Sequence, residues 1–301
     1  MDVVVLGSLN EDITLNVAVL PMPGETVLAR SASGGPGGKG LNQAVAARRA
    51  GALTAMIGAV GEDQAGNGLC AFLAEEGIDN RGIARTGDHP TGLASVMVDD
   101  RGENAIIVAP GANTALAPDA VDRALPPSAK VALCQLEVPV AVVNRFLVLS
   151  RGIGAITILN AAPFVPAATS LFAVCDIVIV NETELAAYAG WEAAASLDAA
   201  QIERVARGLV TRAEQTIVVT LGGRGLVRVT QDEAHWHRAH PARVVDTTGA
   251  GDCLCGVLAA ELAQGATLAA AIERAIIAAS LSVARRGAAQ AMPRRAEYLI
   301  A

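Results

Sequence analysis

The run Ile177-Val178-Ile179-Val180-Asn181-Glu182-Thr183-Glu184-Leu185-Ala186-Ala187-Tyr188 contains the unit from which the rest of the chain is built. Its opening residues are apolar and mostly β-branched, with no alternation, so 177–180 reads as a strand covered on both faces. Asn181 then offers N-cap chemistry, and Glu184 stands three residues on, the spacing of a capping box. A helix over 182–189 follows. A strand buried on both faces that passes straight into a helix is the repeating unit of a parallel sheet clothed by helices.

The same rhythm extends in both directions. Short apolar runs predict strands over 3–6, 54–59, 131–135, 155–159 and 216–220. Alanine-rich stretches of helical period predict helices over 41–50, 64–76, 140–149, 201–210, 251–262 and 268–284. Two regions, 13–30 and 93–108, look extended and free of helix, and are expected to form a small antiparallel sheet. No repeat or linker interrupts the chain. The expectation is one α/β domain over 1–301, a three-layer α/β/α sandwich with a mostly parallel central sheet and a small β-sheet appendage.

Composition narrows the function classes. With 301 residues, 52% hydrophobic and 18% charged, the chain has ample material for a core. No window approaches the roughly 18 consecutive apolar residues of a membrane span. The start runs directly into Val3, Val4, Val5 and Leu6 without a basic leader, so a soluble, cytoplasmic protein is expected. Lys and Arg number 23 against 30 acidic residues, a net charge of −7, which argues against a broad nucleic-acid interface. An anionic ligand must then be held locally, by backbone N–H groups, a metal or a few basic side chains. The five cysteines are odd in number and lie in apolar stretches, as reduced core thiols do. Cys253-x-Cys255 is too isolated for a zinc half-site.

Chemistry-bearing residues collect at predicted strand ends: Glu137 after 131–135, Asn181 after 177–180, and the turn 221–225 after 216–220. Ligands of open α/β sheets bind beyond the carboxyl ends of strands, so one site along one edge is expected. The strongest motif is Asp246-Thr247-Thr248-Gly249-Ala250-Gly251-Asp252, which runs into an apolar helix. Small residues at a helix start leave its first N–H groups uncrowded, an anion cradle at Gly249, Ala250 and Gly251. Asp252, in the first turn, lies within reach of a hydroxyl attacking a phosphorus held there. A tight turn whose acid complements the helix dipole is the alternative.

Gly34-Gly35-Pro36-Gly37-Gly38-Lys39-Gly40-Leu41-Asn42-Gln43 formally contains a dinucleotide fingerprint. The preceding Arg30-Ser31-Ala32-Ser33 is no apolar strand, and Gly40 stands where a phosphate-binding loop needs Ser or Thr after the Lys. The run reads as a loop that approaches a small polar ligand, or as a merely flexible one, with Asn42 supplying hydrogen bonds. Asn10 and Asp12, one residue apart, face the same side of an extended segment. They suit bidentate binding of sugar hydroxyls, or an Asx turn. Glu184 either closes the capping box or helps hold water around Mg²⁺; both roles are compatible. His235-x-His237 with His240 lacks an acidic or cysteine partner at fixed offset and reads as a polar hairpin.

These residues resemble the ribokinase-like (PfkB) carbohydrate kinases, nearly end to end. The matching motifs are Gly7-Ser8-Leu9-Asn10-x-Asp12, Pro23-Gly24-Glu25-Thr26, Gly37-Gly38-Lys39-Gly40-x-Asn42-Gln43-Ala44, Gly102-Glu103-Asn104 and Gly111-Ala112-Asn113. Further on come Gln135-Leu136-Glu137, Asn181 to Glu184, Thr220-Leu221-Gly222-x-x-Gly225 and the Asp246 to Asp252 run. The resemblance implies ATP-dependent phosphorylation of the primary hydroxyl of a sugar, ribose foremost, with Asp252 as general base. Kinases of nucleosides or of other pentoses and ketoses share the fold, and a non-catalytic sugar or nucleotide sensor is the reading from another class. It further implies a lid made of the two irregular regions, which often pairs two subunits, so a homodimer is expected.

By the same carry-over Asn10, Asp12, Gly38, Lys39, Gly40, Asn42 and Glu137 would grip the sugar. Asn181, Thr220, Leu221, Gly222, Gly223, Arg224, Gly225, Gly251 and Ile276 would line the ATP site, with Glu184 near Mg²⁺. Asp246, Thr248, Ser282, Arg285 and Gly287 would hold a monovalent cation, K⁺ in most of the family. Ala291 stands where a Ser hydroxyl is common near that cation, and Ile276 where an Asn often faces adenine.

Overall fold

The structure, a computed structural model, describes residues 1–101, 103–191 and 197–300. Gly102, one of the motif residues above, lies outside the described residues. In chain order the strands are β1 (Val3–Leu6), β2 (Asn10–Asn16), β3 (Ser31–Gly37), β4 (Thr54–Gly61), β5 (Asp79–Thr86), β6 (Gly92–Val98) and β7 (Asn104–Ala109). There follow β8 (Val131–Cys134), β9 (Ile156–Asn160), β10 (Ile177–Asn181), β11 (Thr216–Thr220), β12 (Leu226–Val229) and β13 (Ala234–His237).

The large sheet has the order β13-β12-β11-β10-β9-β8-β1-β4-β5. From β11 to β5 every pairing is parallel, and β12 and β13 close one edge as an antiparallel hairpin. β1 shows why its sequence carries no alternation. All four residues are fully buried, Val3 and Val5 in one core and Val4 and Leu6 in the other. The helices Lys39–Arg49, Gln64–Glu75, Ala250–Ala263 and Leu268–Ser282 cover the first face through Leu41, Leu73, Val257 and Ile272. Pro118–Ala124, Val140–Gly152, Glu182–Tyr188 and Ala199–Gly208 cover the second through Val121, Phe146, Leu185 and Ile202. A side chain such as Phe146, wholly removed from water, contributes roughly 2–3 kcal/mol by burial alone. The three-layer sandwich expected from the sequence is the fold.

The small sheet differs from its expectation in two respects. Its order is β3-β2-β6-β7, and it is mixed: β2 pairs antiparallel with β3, and β6 with β7, but β2 and β6 run parallel. The reason is topological. β2 continues from β1 and β6 from β5, strands that run in the same direction in the large sheet, so both chains leave its edge the same way. The second difference is β3 itself, whose Gly- and Pro-rich sequence reads as a loop. Pairing overrides propensity here, because Asp12 lies opposite Gly35 and Asn10 opposite Gly37. A Cβ at Gly37 would lie 2.0 Å from Asp12 Oδ2, so any other residue would displace the Asp12 carboxylate. No described helix is long and apolar enough to cross a membrane.

Candidate active site

The expected strand ends do meet along one edge of the large sheet. Glu137 follows β8, Asn181 ends β10, and Thr220, which ends β11, is its registered partner. A cleft of about 590 Å³ opens between the small sheet and two loops. Asp12, Gly35 and Pro36 line it from one side, and Asp246, Thr248, Gly287 and Gln290 from the other.

Asp252 sits in the first turn of the helix Ala250–Ala263, only 7% exposed. The N-cap is Gly249, at φ 73, a left-handed conformation that glycine adopts without strain. No side chain caps this end, and a Cβ at Gly251 would meet nothing within 4 Å. The Ala250 N–H donates to Thr247 O at 3.2 Å, which leaves the uncrowded N–H of Gly251 in this first turn to receive an anion. Asp252 Oδ2 accepts from Asn42 Nδ2 at 3.0 Å, and Oδ1 from Gln43 Nε2 at 2.9 Å. Burial raises its pKa; the Lys39 charge and the two amides oppose the rise, and Glu137 adds to it.

The remaining residues expected at the sugar surround this carboxyl. Gly38, at φ 90, precedes the helix Lys39–Arg49 and brings Lys39 and Asn42 into place. A Cβ at Gly40 would lie 2.6 Å from the backbone of Gly7, so this glycine allows helix and β1 to touch. Glu137 accepts from Ser8 Oγ and from the Lys39 N–H at 3.2 Å, and its other oxygen lies 3.9 Å from Lys39 Nζ. Asp12 is strongly perturbed. Burial, then the charges of Glu137 and Asp252, push it up to about 7, with Lys39 opposing. Burial acts to lower Lys39, but Asp252, Glu137 and Glu184 outweigh it and hold the ammonium above its ordinary value. Asn10 is buried and accepts from Asn113 Nδ2 at 2.8 Å, so its carbonyl is already engaged.

Two acceptors are left without donors inside this cluster, Asp12 Oδ1 and Asn42 Oδ1. Buried acceptors are seldom left unpaired. A molecule bearing several hydroxyls, each an O–H donor, would satisfy both.

At the other end, Asn181 caps the helix Glu182–Tyr188 and forms the full capping box with Glu184. Burial raises the Glu184 carboxyl, and it shares the fields of Lys39 and Asp252, so it faces the site while one oxygen serves the cap. The turn after β11 has Gly222 at φ 56 and Gly225 at φ 96, and Arg224 pairs with Glu182. A Cβ at Gly225 would lie 2.0 Å from His237 O, which excludes any other residue there. Leu221 is buried, while Thr220 borders the same turn. Ile276 is buried in the core on the first face of the large sheet. His235 and His237 are on the β12–β13 hairpin and pair with Glu233 and Glu273.

The residues expected around a monovalent cation come together on two adjoining turns. Asp246 Oδ1 accepts from Thr248 N at 2.9 Å and from its hydroxyl at 2.6 Å, and Oδ2 from Gly287 N at 2.9 Å. Val283, between Ser282 and Arg285, accepts from Val245 N and Asp246 N. Burial acts to raise Asp246, but these donors and Arg286 hold it below its ordinary value, so it is anionic. The Arg285 side chain turns away to Glu297. A single carboxylate among backbone turns fits an ion of low charge.

The sequence comparisons agree with this geometry. The family model described as pfkB family carbohydrate kinase matches residues 1–295. The chain belongs to the pfkB family of carbohydrate kinases. It is 33% identical to a ribokinase of Haemophilus influenzae over 300 residues, 98% of this chain and 96% of that one. It is also 35% identical, over 99% of its length, to a bifunctional ribokinase/ribose-5-phosphate isomerase A of Fructilactobacillus sanfranciscensis, of which it spans 55%. The structure of Arabidopsis thaliana ribokinase complexed with ribose and ATP superposes with a TM-score of 0.88 at 30% identity, covering 99% of this chain and 97% of that one.

In this carbohydrate kinase several buried polar residues reach the cluster without having been singled out from the sequence. Ser8, Asn113, Gln43 and Gln135 lie in the motifs quoted above, but only as letters of a pattern. Asn160 gave a usable signal, a polar residue closing an apolar strand, the same signal that marks Asn181.

Proposed function

We propose that this carbohydrate kinase transfers the γ-phosphoryl group of ATP to the primary hydroxyl of D-ribose, giving ribose 5-phosphate. The observation that carries the reading is the placement of buried Asp252 beside an uncapped helix start and within 3.0 Å of Asn42, whose own carbonyl awaits a donor. Asn42 thereby links a sugar hydroxyl to the base. Asp12 Oδ1 takes a second hydroxyl, and Glu137 and Lys39, with Gly38 and Gly40 behind them, close the pocket around the ring. The relatives named ribokinase and the ribose–ATP complex support ribose as the sugar.

The acceptor hydroxyl approaches between Asp252 and the helix start at Gly249, Ala250 and Gly251, where the Ala250 N–H would have to leave Thr247 O to join the cradle. Asp252 takes its proton as the oxygen bonds to phosphorus, and a raised pKa brings this base closer to the working pH. The N–H groups stabilise the charge that spreads over the phosphoryl oxygens, the main demand of phosphoryl transfer. Asn181 and residues 220–225 hold the nucleotide, with Ile276 expected on its base side. Glu184 would hold Mg²⁺ through water, and the ion would supply charge neutralisation on the phosphates. K⁺ at Asp246, Thr248, Ser282, Arg285 and Gly287 would add a fixed positive field beside the anion cradle.

The small sheet acts as the lid, excluding water that would otherwise accept the phosphoryl group. Ile106 and Val108 lie on the face of the small sheet turned to the cleft, and Leu93 and Ile107 on its other face; all four are exposed, apolar surface that suits the lid of a second subunit. Sedimentation velocity should therefore give a homodimer, and a monomer at assay concentrations would remove this part. The cysteines carry no disulfide, which fits the cytoplasm.

The test is ADP release with MgATP, with and without K⁺, on ribose, deoxyribose, fructose and nucleosides. Ribose should give the highest kcat/KM, and K⁺ should raise turnover. A preference for a nucleoside would overturn the substrate and keep the chemistry. Tight sugar binding without any turnover would overturn the enzyme reading.

A further inference from the structure

Gln43 is fully buried beside Asn42 on the helix Lys39–Arg49, and the chemistry above gives it no part. Its Nε2 donates to Asp252 Oδ1 at 2.9 Å and to Asn160 Oδ1 at 3.1 Å. Its Oε1 accepts from Gln135 Nε2 at 2.6 Å. Gln135 follows β8 and is also fully buried, packed so tightly on Gly7 that a Cβ there would lie 2.0 Å from Gln135 Oε1.

The polarity of this amide chain follows from the charge at one end. A carboxylate only accepts, so Gln43 must turn its NH₂ toward Asp252. Its carbonyl then faces Gln135, which must answer with its own NH₂. The result leaves Gln135 Oε1 buried and without a donor. Reversing Gln135 would turn its oxygen on Gln43 Oε1, and reversing both would turn an amide oxygen on the Asp252 carboxylate. The orphan is thus placed at the far end of the chain, away from the reacting group.

We infer that Gln43 is the positioning residue of Asp252: locked by Gln135, its amide holds the plane of the carboxylate against the ends of β1, β8 and β9. The hydroxyl then meets an oriented oxygen instead of a side chain free to rotate. The inference rests on the reading of Asp252 as the base. Asp252 is also faced by Lys39 from the same helix as Gln43, Glu137 from the loop after β8, Asp12 from β2 and Glu184 from the helix Glu182–Tyr188. Cys253 and Cys255 flank it on its own helix. None of these groups is a hydrogen-bond partner of the Gln43 side chain, so a shift in the pH profile reports the amide itself.

The experiment compares the full chain with its Gln43→Met, Gln135→Met and Asp252→Asn variants, with MgATP and ribose from pH 5 to 9. Met keeps the length of Gln43 and removes its hydrogen bonds. Loss of an N–H that favours the ionised acid makes Asp252 harder to deprotonate, so the acid limb of kcat moves up by about one pH unit. kcat at neutral pH should fall about 10- to 100-fold, with ribose KM within about threefold. Gln135→Met, one bond further away, should shift the limb in the same direction by less. An inactive Asp252→Asn with an unshifted Gln43→Met limb overturns this inference alone, and so does a loss of kcat without a shift. If Gln43→Met does not fold, an unshifted Gln135→Met limb overturns it. An active Asp252→Asn protein overturns the base and this inference together.

Discussion

Asp252→Asn should lower kcat by about 10²- to 10⁴-fold, the range typical of removing a general base. The structure also says what else the substitution does. Gln43 is locked by Gln135, so it continues to donate to the oxygen of the new amide. The new NH₂ then takes the place of Oδ2 and faces the NH₂ of Asn42, donor against donor. Asn42 must turn, and the carbonyl proposed to receive a sugar hydroxyl is spent on residue 252. A rise in ribose KM of severalfold should therefore accompany the loss of kcat. Steady-state ADP release, with ATP saturating and ribose varied, separates the two. Turnover equal to that of the unaltered chain would remove Asp252 from the reaction.

The second large effect concerns stability. Glu261 lies fully buried on the same helix as Asp252. It accepts from Arg274 Nη1 at 2.5 Å, Arg295 Nε at 3.2 Å and Tyr298 Oη at 2.9 Å. These partners come from the helices Leu268–Ser282 and Arg295–Leu299, so one carboxylate ties three helices together. Glu261→Ala leaves a buried hydroxyl and two half-buried guanidinium groups without their acceptor. A loss of roughly 3–5 kcal/mol is expected. In a chain of this size that lowers Tm by roughly 5–12 °C. Burial acts to raise the Glu261 carboxyl, but Arg295, Arg274 and Tyr298 hold it below its ordinary 4.5. Its contribution is therefore complete above pH 4.5 and is lost as pH falls through the lower, folded-state value. Thermal melts at pH 7 and at pH 4 check both statements; a Tm at pH 7 unchanged by the substitution would contradict them.

The parts of this fold that were legible in the sequence are those where one physical demand dominates. β1, β8, β10 and β11 are buried on both faces, so their composition alone declares them. The edge strand β5 was not legible, because Asp79-Asn80-Arg81-Gly82-Ile83-Ala84-Arg85-Thr86 carries the charges that keep an edge from pairing with a stranger. β3 was hidden by glycines that pairing with β2 requires and that strand propensity disfavours. In the candidate site, the acids and the glycine cradle could be read because their chemistry is local to a motif. The amides of Gln43 and Gln135 could not, since an amide declares its partner only when helix and strand ends are brought together. Asn181 marks the middle case, where the capping box foreseen from its spacing is present in full.

The small sheet and the helix Ala250–Ala263 divide the proposed work between them. Asn10 and Asp12 stand on β2, whereas Asp252 and the anion cradle belong to a helix packed into the core of the large sheet. A lineage could therefore change which sugar it accepts by substitutions in β2 and β3 while inheriting the phosphoryl-transfer apparatus intact. Duplicated copies of such a chain would be expected to diverge first in the small sheet, and to keep the residues around Asp252 long after their substrates had parted.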